Sequence, residues 1–235
     1  RLSLSVNQAK MLFLQGERTK NRIECTDKEI LENPYVLYEK TRLKLGELFI
    51  SVKKVDRAVF PVSSILEKYP LTAPSKLSSD NDERRVRTIA IAVMEQAALN
   101  GNTIMPCANL VEEMKNLVLE PTCPVTEDIV KAIEKFMLPE IIKREMKDGT
   151  EYYKMVRLQK FDDVIENRIS RRLNAPKLVV DANWRKMLDD KFNDGKPVSE
   201  SEKRARQEKA AILEELAQSR IAVLVGDAGT GKTWC

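Results

Sequence analysis

The sequence predicts a mainly α fold with one small antiparallel sheet in its middle and the start of an α/β domain at its C-terminal end. Three observations carry this. Apolar residues recur at helical spacing along much of the chain, as in Val86, Ile89, Ala90, Val93, Met94 and Ala97. Asp148-Gly149, the strongest short hairpin signal, lies between Ile141–Met146 and Glu151–Val156. A β-branched apolar run, Ile221–Val225, leads directly into a glycine-rich segment.

Composition narrows the classes. With 235 residues, 32% charged and 43% hydrophobic, the chain reads as a soluble, helix-rich protein of one or two domains. No apolar run approaches the roughly 20 residues needed to span a bilayer, so no membrane partner is expected. The four cysteines lack C-x-x-C spacing and histidine is absent, which argues against a structural zinc site and removes imidazole acid–base chemistry. Reduced thiols point to the cytoplasm. A net charge of +4 permits a nucleic-acid partner without demanding one. The opening Arg1-Leu-Ser-Leu-Ser5 is neither a signal peptide nor an initiator sequence, so a cut N-terminus is expected.

Residues 1–70 read as a helical region. Val6, Ala9, Met11, Leu12 and Phe13 form one apolar face, and Gly16 breaks it. Thr26 caps a second helix that ends before Asn33-Pro34, and Pro34 suits the first turn of a third. Between 41 and 70 the apolar residues show no clear period. Residues 71–82, rich in Pro, Ser, Asp and Asn, read as a linker.

Residues 83–175 read as a winged-helix-like α+β domain. A helix closed by Gly101 is followed by a short extended piece, Thr103–Met105, and a helix carrying Leu110, Val111, Met114, Leu117 and Val118. Thr126 caps the next helix, with Val125 and Val130 placed as a hydrophobic staple. The hairpin and a long helix carrying Leu158, Phe161, Ile165, Ile169 and Leu173 complete the order. Residues 176–197 form a connection with a short helix around Trp184, Met187 and Leu188. Residues 198–235 open on a capping box at Ser199, whose helix runs to about Gln218 and delivers the chain to the apolar run.

The chemistry is concentrated at the end. Gly226-Asp227-Ala228-Gly229-Thr230-Gly231-Lys232-Thr233 is G-x-x-x-x-G-K-[ST], the phosphate-cradling P-loop. Its backbone N–H groups suit β- and γ-phosphate oxygens, Lys232 supplies a cation to them, and the Thr233 hydroxyl suits Mg²⁺. ATP and Mg²⁺ are therefore the expected cofactors, with Lys232 and Thr233 as the residues that act. The helix that normally follows such a loop is absent after Cys235, so the chain is expected to be a fragment cut inside a nucleotide site, binding nucleotide poorly and inactive alone.

This segment resembles the entrance to the first motor domain of a superfamily 1 helicase. Gln207 lies nineteen positions ahead of Gly226, followed by Ala210 and Ala211. The resemblance implies that its carboxamide reads the adenine edge, which needs a paired donor and acceptor. Gly229-Thr-Gly-Lys-Thr233 is similar to the GTGKT of RecD-like helicases. Ile30–Leu37 resembles that family's ENPY-x-L segment, which implies a helix-hairpin-helix-like character for residues 1–70. Arg84–Asn100 followed by Gly101–Pro106 resembles its helix and G-x-T-x-x-P step. Lys40–Phe60 departs from the family pattern by holding only Gly46 where a glycine-rich hairpin is usual. The resemblance implies an ATP-dependent DNA helicase that couples hydrolysis to 5′-to-3′ translocation on single-stranded DNA and to unwinding of fork DNA, in the setting of DNA repair and recombination, with a protein partner also open.

Other clusters are weighed as structural. Arg84, Arg85 and Arg87, and Arg168, Arg171 and Arg172, could contact phosphate, but a solvated charged face is favoured. Tyr152 and Tyr153 could stack on a base, but hairpin packing is favoured. Asp162, Asp163, Glu112 and Glu113 read as helix-surface carboxylates. Two rivals stand beside the helicase reading. One is a winged-helix nucleic-acid or protein-interaction module attached to a non-helicase P-loop ATPase. The other is a P-loop ATPase of the AAA kind that signals or remodels proteins.

Overall fold

The computed structural model describes residues 2–193, 195 and 197–226. Among these the chain is mainly helical, with a three-stranded antiparallel sheet, and it divides into two units, Arg1–Lys160 and Phe161–Cys235.

In the first unit the N-terminal helices are set by their caps. α1 (Val6–Phe13) starts at Ser5, whose hydroxyl accepts the Gln8 amide while the Gln8 side chain accepts the Ser5 amide. It buries Gln8, Met11 and Leu12, while Val6 and Phe13, expected on the buried face, are exposed. Gly16 does not end the helical region, because α2 (Gln15–Lys20) restarts directly after Leu14. α3 (Asp27–Glu32) carries the anticipated Thr26 cap, completed by Glu29, and α4 (Val36–Thr41) follows Pro34. The stretch without clear period folds as a 3-10 turn (Gly46–Leu48), α5 (Val52–Val59) and α6 (Ser63–Lys68). The buried face of α5 includes the carboxylate Asp56, which interrupts its apolar pattern.

Residues 71–82 hold no helix or strand but are tied down. Leu77 is buried, and the Ser75 hydroxyl donates to the Leu31 carbonyl at 2.6 Å. Asp82 then caps α7 (Glu83–Leu99), the central helix of this unit, which buries ten of its seventeen residues. Gly101 closes it with φ +89°, and the Asn102 amide reaches back to the Ala97 carbonyl at 2.8 Å. A side chain at 101 would hold a left-handed conformation at a cost, which is why glycine sits there.

β1 (Ile104–Pro106) and α8 (Cys107–Asn116) follow in the expected order. The single helix expected after the Thr126 cap is two, α9 (Glu127–Ala132) and α10 (Glu134–Met137), separated where Ile133 adopts ψ near 8°. Val125 and Val130 are both buried, as the staple requires. β2 (Ile141–Glu145) and β3 (Glu151–Met155) pair antiparallel from Ile141 with Met155 to Glu145 with Glu151. β1 adds to the other edge of β3, giving the order β1-β3-β2. One apolar core runs from Met11 to Met155. α11 (Val156–Leu173) leaves β3 without a break, and within this unit its Leu158 packs on that core.

In the second unit, α12 (Trp184–Lys191) and α13 (Glu200–Gln218) pack together, and Leu188 and Arg206 are the buried residues among those described. Arg206 binds Glu202, Asp189 and the Phe192 carbonyl, joining the two helices. The strand expected over Ile221–Val225 is not formed among the described residues: Val223 and Val225 are 83% and 85% exposed. A strand needs an edge to pair with, and no described segment offers Ala222–Val225 a ladder.

Asp82 gives this fold a measurable pH dependence. Burial pushes its carboxyl up, but hydrogen bonds from Arg84 and Ser78 outweigh burial and hold it down to about 2. Its contribution is therefore complete above about pH 4 and disappears as pH falls through about 2. Urea unfolding should lose on the order of 2 kcal/mol over that window. Asp82→Asn, which keeps a capping oxygen, should remove that part of the profile, and an unchanged profile would contradict the assignment.

Candidate functional site

Of the P-loop residues, only Gly226 lies among those described. Asp227, Ala228, Gly229, Thr230, Gly231, Lys232 and Thr233 lie outside them. The helix that leads to the loop is well defined. Ser199 caps α13 by accepting the Glu202 amide at 3.2 Å. Gln207 lies exposed about two turns into α13, and its carboxamide has no hydrogen-bond partner among the described residues. At the far end, the Leu178 amide donates to the Gln218 carbonyl at 2.8 Å, and Arg220 Nε donates to the Pro176 carbonyl at 2.8 Å. Residues 176–178 are thereby fastened to the exit of α13, just before Ile221.

The three arginines at the start of α7 correct the expected solvated face. Arg85 is 0% exposed, with Nε and Nη2 donating to the two Asp56 carboxylate oxygens at 2.8 and 2.9 Å. Asp56 also accepts the Tyr35 hydroxyl at 2.6 Å, and the Arg85 guanidinium lies 4.5 Å from the centre of the Phe60 ring. Burial disfavours the Arg85 charge, but Asp56 outweighs it and holds the proton more firmly than usual. Arg87 makes a two-pronged pair with Glu39 at 3.0 and 2.9 Å, and Glu39 also accepts the Thr88 hydroxyl. Arg84 donates to the Glu32, Pro74 and Lys76 carbonyls and to Asp82. The physical reason is that α7 is central rather than peripheral, so the arginines of its first turns reach neighbouring segments before they reach solvent. These groups are internal ties, occupied by carboxylates and carbonyls, and are not offered to phosphate.

Sequence reasoning missed the acids that receive them. Asp56 and Glu39 sit on the buried faces of α5 and α4, and Glu95 on α7 joins Arg42 and Arg157. Burial pushes the Glu95 carboxyl up, but Arg157 and Arg42 outweigh it and hold it below the usual range. The signal available was a lone carboxylate at a core position of a helical period, which is costly unless paired.

The other candidates resolve as follows. Tyr153 is buried and donates to Glu134 at 2.6 Å, so it packs the hairpin, whereas Tyr152 is half-buried. Asp162, Asp163, Glu112 and Glu113 are exposed on their helices. Cys25, Cys107 and Cys123 are free thiols, and burial pushes Cys123 up to about 11, which leaves it inert. Among the described residues no group of three acids or thiols is arranged to hold a metal, and no helix is long and apolar enough to cross a membrane. A cleft of about 410 Å³ beside α7, not foreseen from sequence, is lined by Tyr38, Phe49, Gln96, Asn100, Asn102 and Asn116 among others.

In the second unit, Arg168, Arg171, Arg172, Ala175 and Arg220 line a recess of about 260 Å³. All four arginines are exposed. None has a carboxylate partner among the described residues, in contrast to those of α7.

The chain is similar to an uncharacterised protein of Methanocaldococcus jannaschii, at 24% identity over 221 aligned positions covering 87% of the chain. The match spans 18% of that relative's length. No family model matches the chain, and no solved structure matches it.

The buried pair is directly testable. Asp56→Ala leaves the Arg85 guanidinium uncompensated and should cost about 3–5 kcal/mol in urea unfolding. Adding Arg85→Met should return much of that loss. A single variant within 1 kcal/mol (about the scatter of surface substitutions) would show that the pair is not needed.

Proposed function

We propose that this chain belongs to the N-terminal part of an ATP-dependent DNA helicase of the RecD-like kind, which uses ATP·Mg²⁺ to move along single-stranded DNA and separate a fork. The observation that carries this is G-x-x-x-x-G-K-T following an apolar β-branched run, with a glutamine nineteen positions upstream on a helix. In this reading the amides of 226–231 cradle the phosphates. Lys232 neutralises charge on the β- and γ-phosphates, Thr233 holds Mg²⁺, and Gln207 selects adenine. The exposure of Gln207 on α13, with its carboxamide uncommitted, supports its part.

The order helix, strand, helix, helix, hairpin, with the sheet order β1-β3-β2, supports a winged-helix domain within the first unit. Its third-helix region is near neutral and internally engaged: Lys131 pairs with Glu127, and Glu134 binds Tyr153 and Lys143. DNA contact through that helix is therefore not part of this proposal, and the domain acts as a rigid docking module. The alternative, a winged-helix nucleic-acid module on another kind of ATPase, shares that strand order.

In the natural protein, Lys232→Ala should lower DNA-stimulated ATP turnover by about 100-fold or more. Gln207→Ala should narrow the preference for ATP over GTP while leaving GTP turnover intact. Full turnover in the Lys232 variant would contradict the phosphate assignment. Duplex binding that depends on Lys131 and Lys135 would favour the alternative.

A further inference from the structure

We infer that Arg168, Arg171, Arg172 and Arg220 form a binding site for the phosphodiester backbone of single-stranded nucleic acid. Four observations on the second unit combine. Arg168, Arg171 and Arg172 stand at i, i+3 and i+4 on α11, so they share one face of the helix. Their acidic neighbours, Asp163 and Glu166, are not three or four residues from any of them in the direction of the cluster, and none of the three is ion-paired among the described residues. Arg220 joins them from a different part of the chain: its Nε is fixed to the Pro176 carbonyl, and the residue lines the same recess. The recess itself is concave, with the small residue Ala175 among its lining, so a guest can approach all four cations.

A concave group of guanidiniums without anions is complementary to a ligand that brings several anions at regular spacing. Guanidinium forks match phosphate oxygens in pairs. Arg168 and Arg172 are separated by about 6 Å along the helix axis, against roughly 3.4 Å per nucleotide along one strand of duplex. The cluster therefore covers about two successive phosphates along the recess, and the choice of a single strand rests on the helicase reading above. The choice of nucleic acid among polyanions rests on the helicase reading above. The cation cluster does not, and Arg220 connects it to that reading by immediately preceding the run into the P-loop.

The test uses a fluorescein-labelled oligothymidylate and the natural protein, with all four arginines changed to glutamine (R168Q, R171Q, R172Q, R220Q) and, separately, to lysine. Affinity should fall at least ten-fold in the glutamine variant. The slope of log affinity against log salt should become shallower by about 1.4, at about 0.7 for each of two lost phosphate contacts. The lysine variant, which keeps the charges, should recover most of the slope, and it carries the test if the glutamine variant fails to show the wild-type thermal unfolding curve. Unchanged affinity and slope in a folded glutamine variant overturns the site. Equal displacement of the oligonucleotide by polyglutamate of matched charge overturns the choice of nucleic acid. Binding of a fluorescent ATP analogue separates the two proposals. Loss of that analogue in the arginine variants assigns the cluster to nucleotide phosphates and overturns the inference. Retention of the analogue in Lys232→Ala defeats the P-loop reading alone and leaves the arginine result standing.

Discussion

A guanidinium can be removed from water only against an anion, and the first unit is arranged around that requirement. Arg85, wholly buried on α7, is met by both oxygens of Asp56 from α5, with Tyr35 from the turn before α4 completing the carboxylate's hydrogen bonds. Two turns of the same logic follow along α7. Glu39 on α4 takes Arg87 and Thr88, and Glu95 gathers Arg42 and Arg157. Each tie joins α7 to a different part of the chain, from α4 and α5 to the start of α11. Apolar contacts of the core could tolerate small slips, but a buried ion pair fixes which helix face meets which, because a misplaced partner leaves a bare charge.

The same constraint sorts the positive charge of the chain into two kinds. The α7 arginines look, by composition, like a basic patch, yet each is engaged by carboxylates or carbonyls of the same unit. The arginines of the second unit are the reverse: clustered, exposed and unmatched. Net charge alone cannot separate these cases, since a total of +4 is compatible with either. We therefore propose that phosphate recognition belongs to the second unit, to its arginine recess and to the G-x-x-x-x-G-K-T segment.

Local signals in the sequence carried much of the fold. Thr26, Thr126 and Ser199 each cap the helix they were expected to cap, because the side chain and the amide it serves are three residues apart and need no tertiary information. Gly101 and the Asp148-Gly149 hairpin were legible for the same reason. What was not legible depended on distant parts of the chain. α5 was hidden by Asp56, whose burial makes sense only with Arg85, twenty-nine positions away. Residues 71–82 have the composition of a linker, but their carbonyls are held by Arg84. Ile221–Val225 has the pattern of a buried strand, and a pattern cannot supply the neighbouring edge. For the site, the P-loop motif was plain in the sequence. The arginine recess was half visible, since Arg168, Arg171 and Arg172 were noted as a cluster and the contribution of Arg220 required the fold of residues 174–178.

The central claim is that phosphate recognition belongs to the second unit while the arginines of α7 are structural. Amide hydrogen exchange in the natural protein, with and without ATP·Mg²⁺, tests it most directly. The account predicts slowed exchange over residues 200–235 with residues 83–99 unchanged. Nucleotide-dependent protection in the first turns of α7, with none from residue 200 onward, would contradict it.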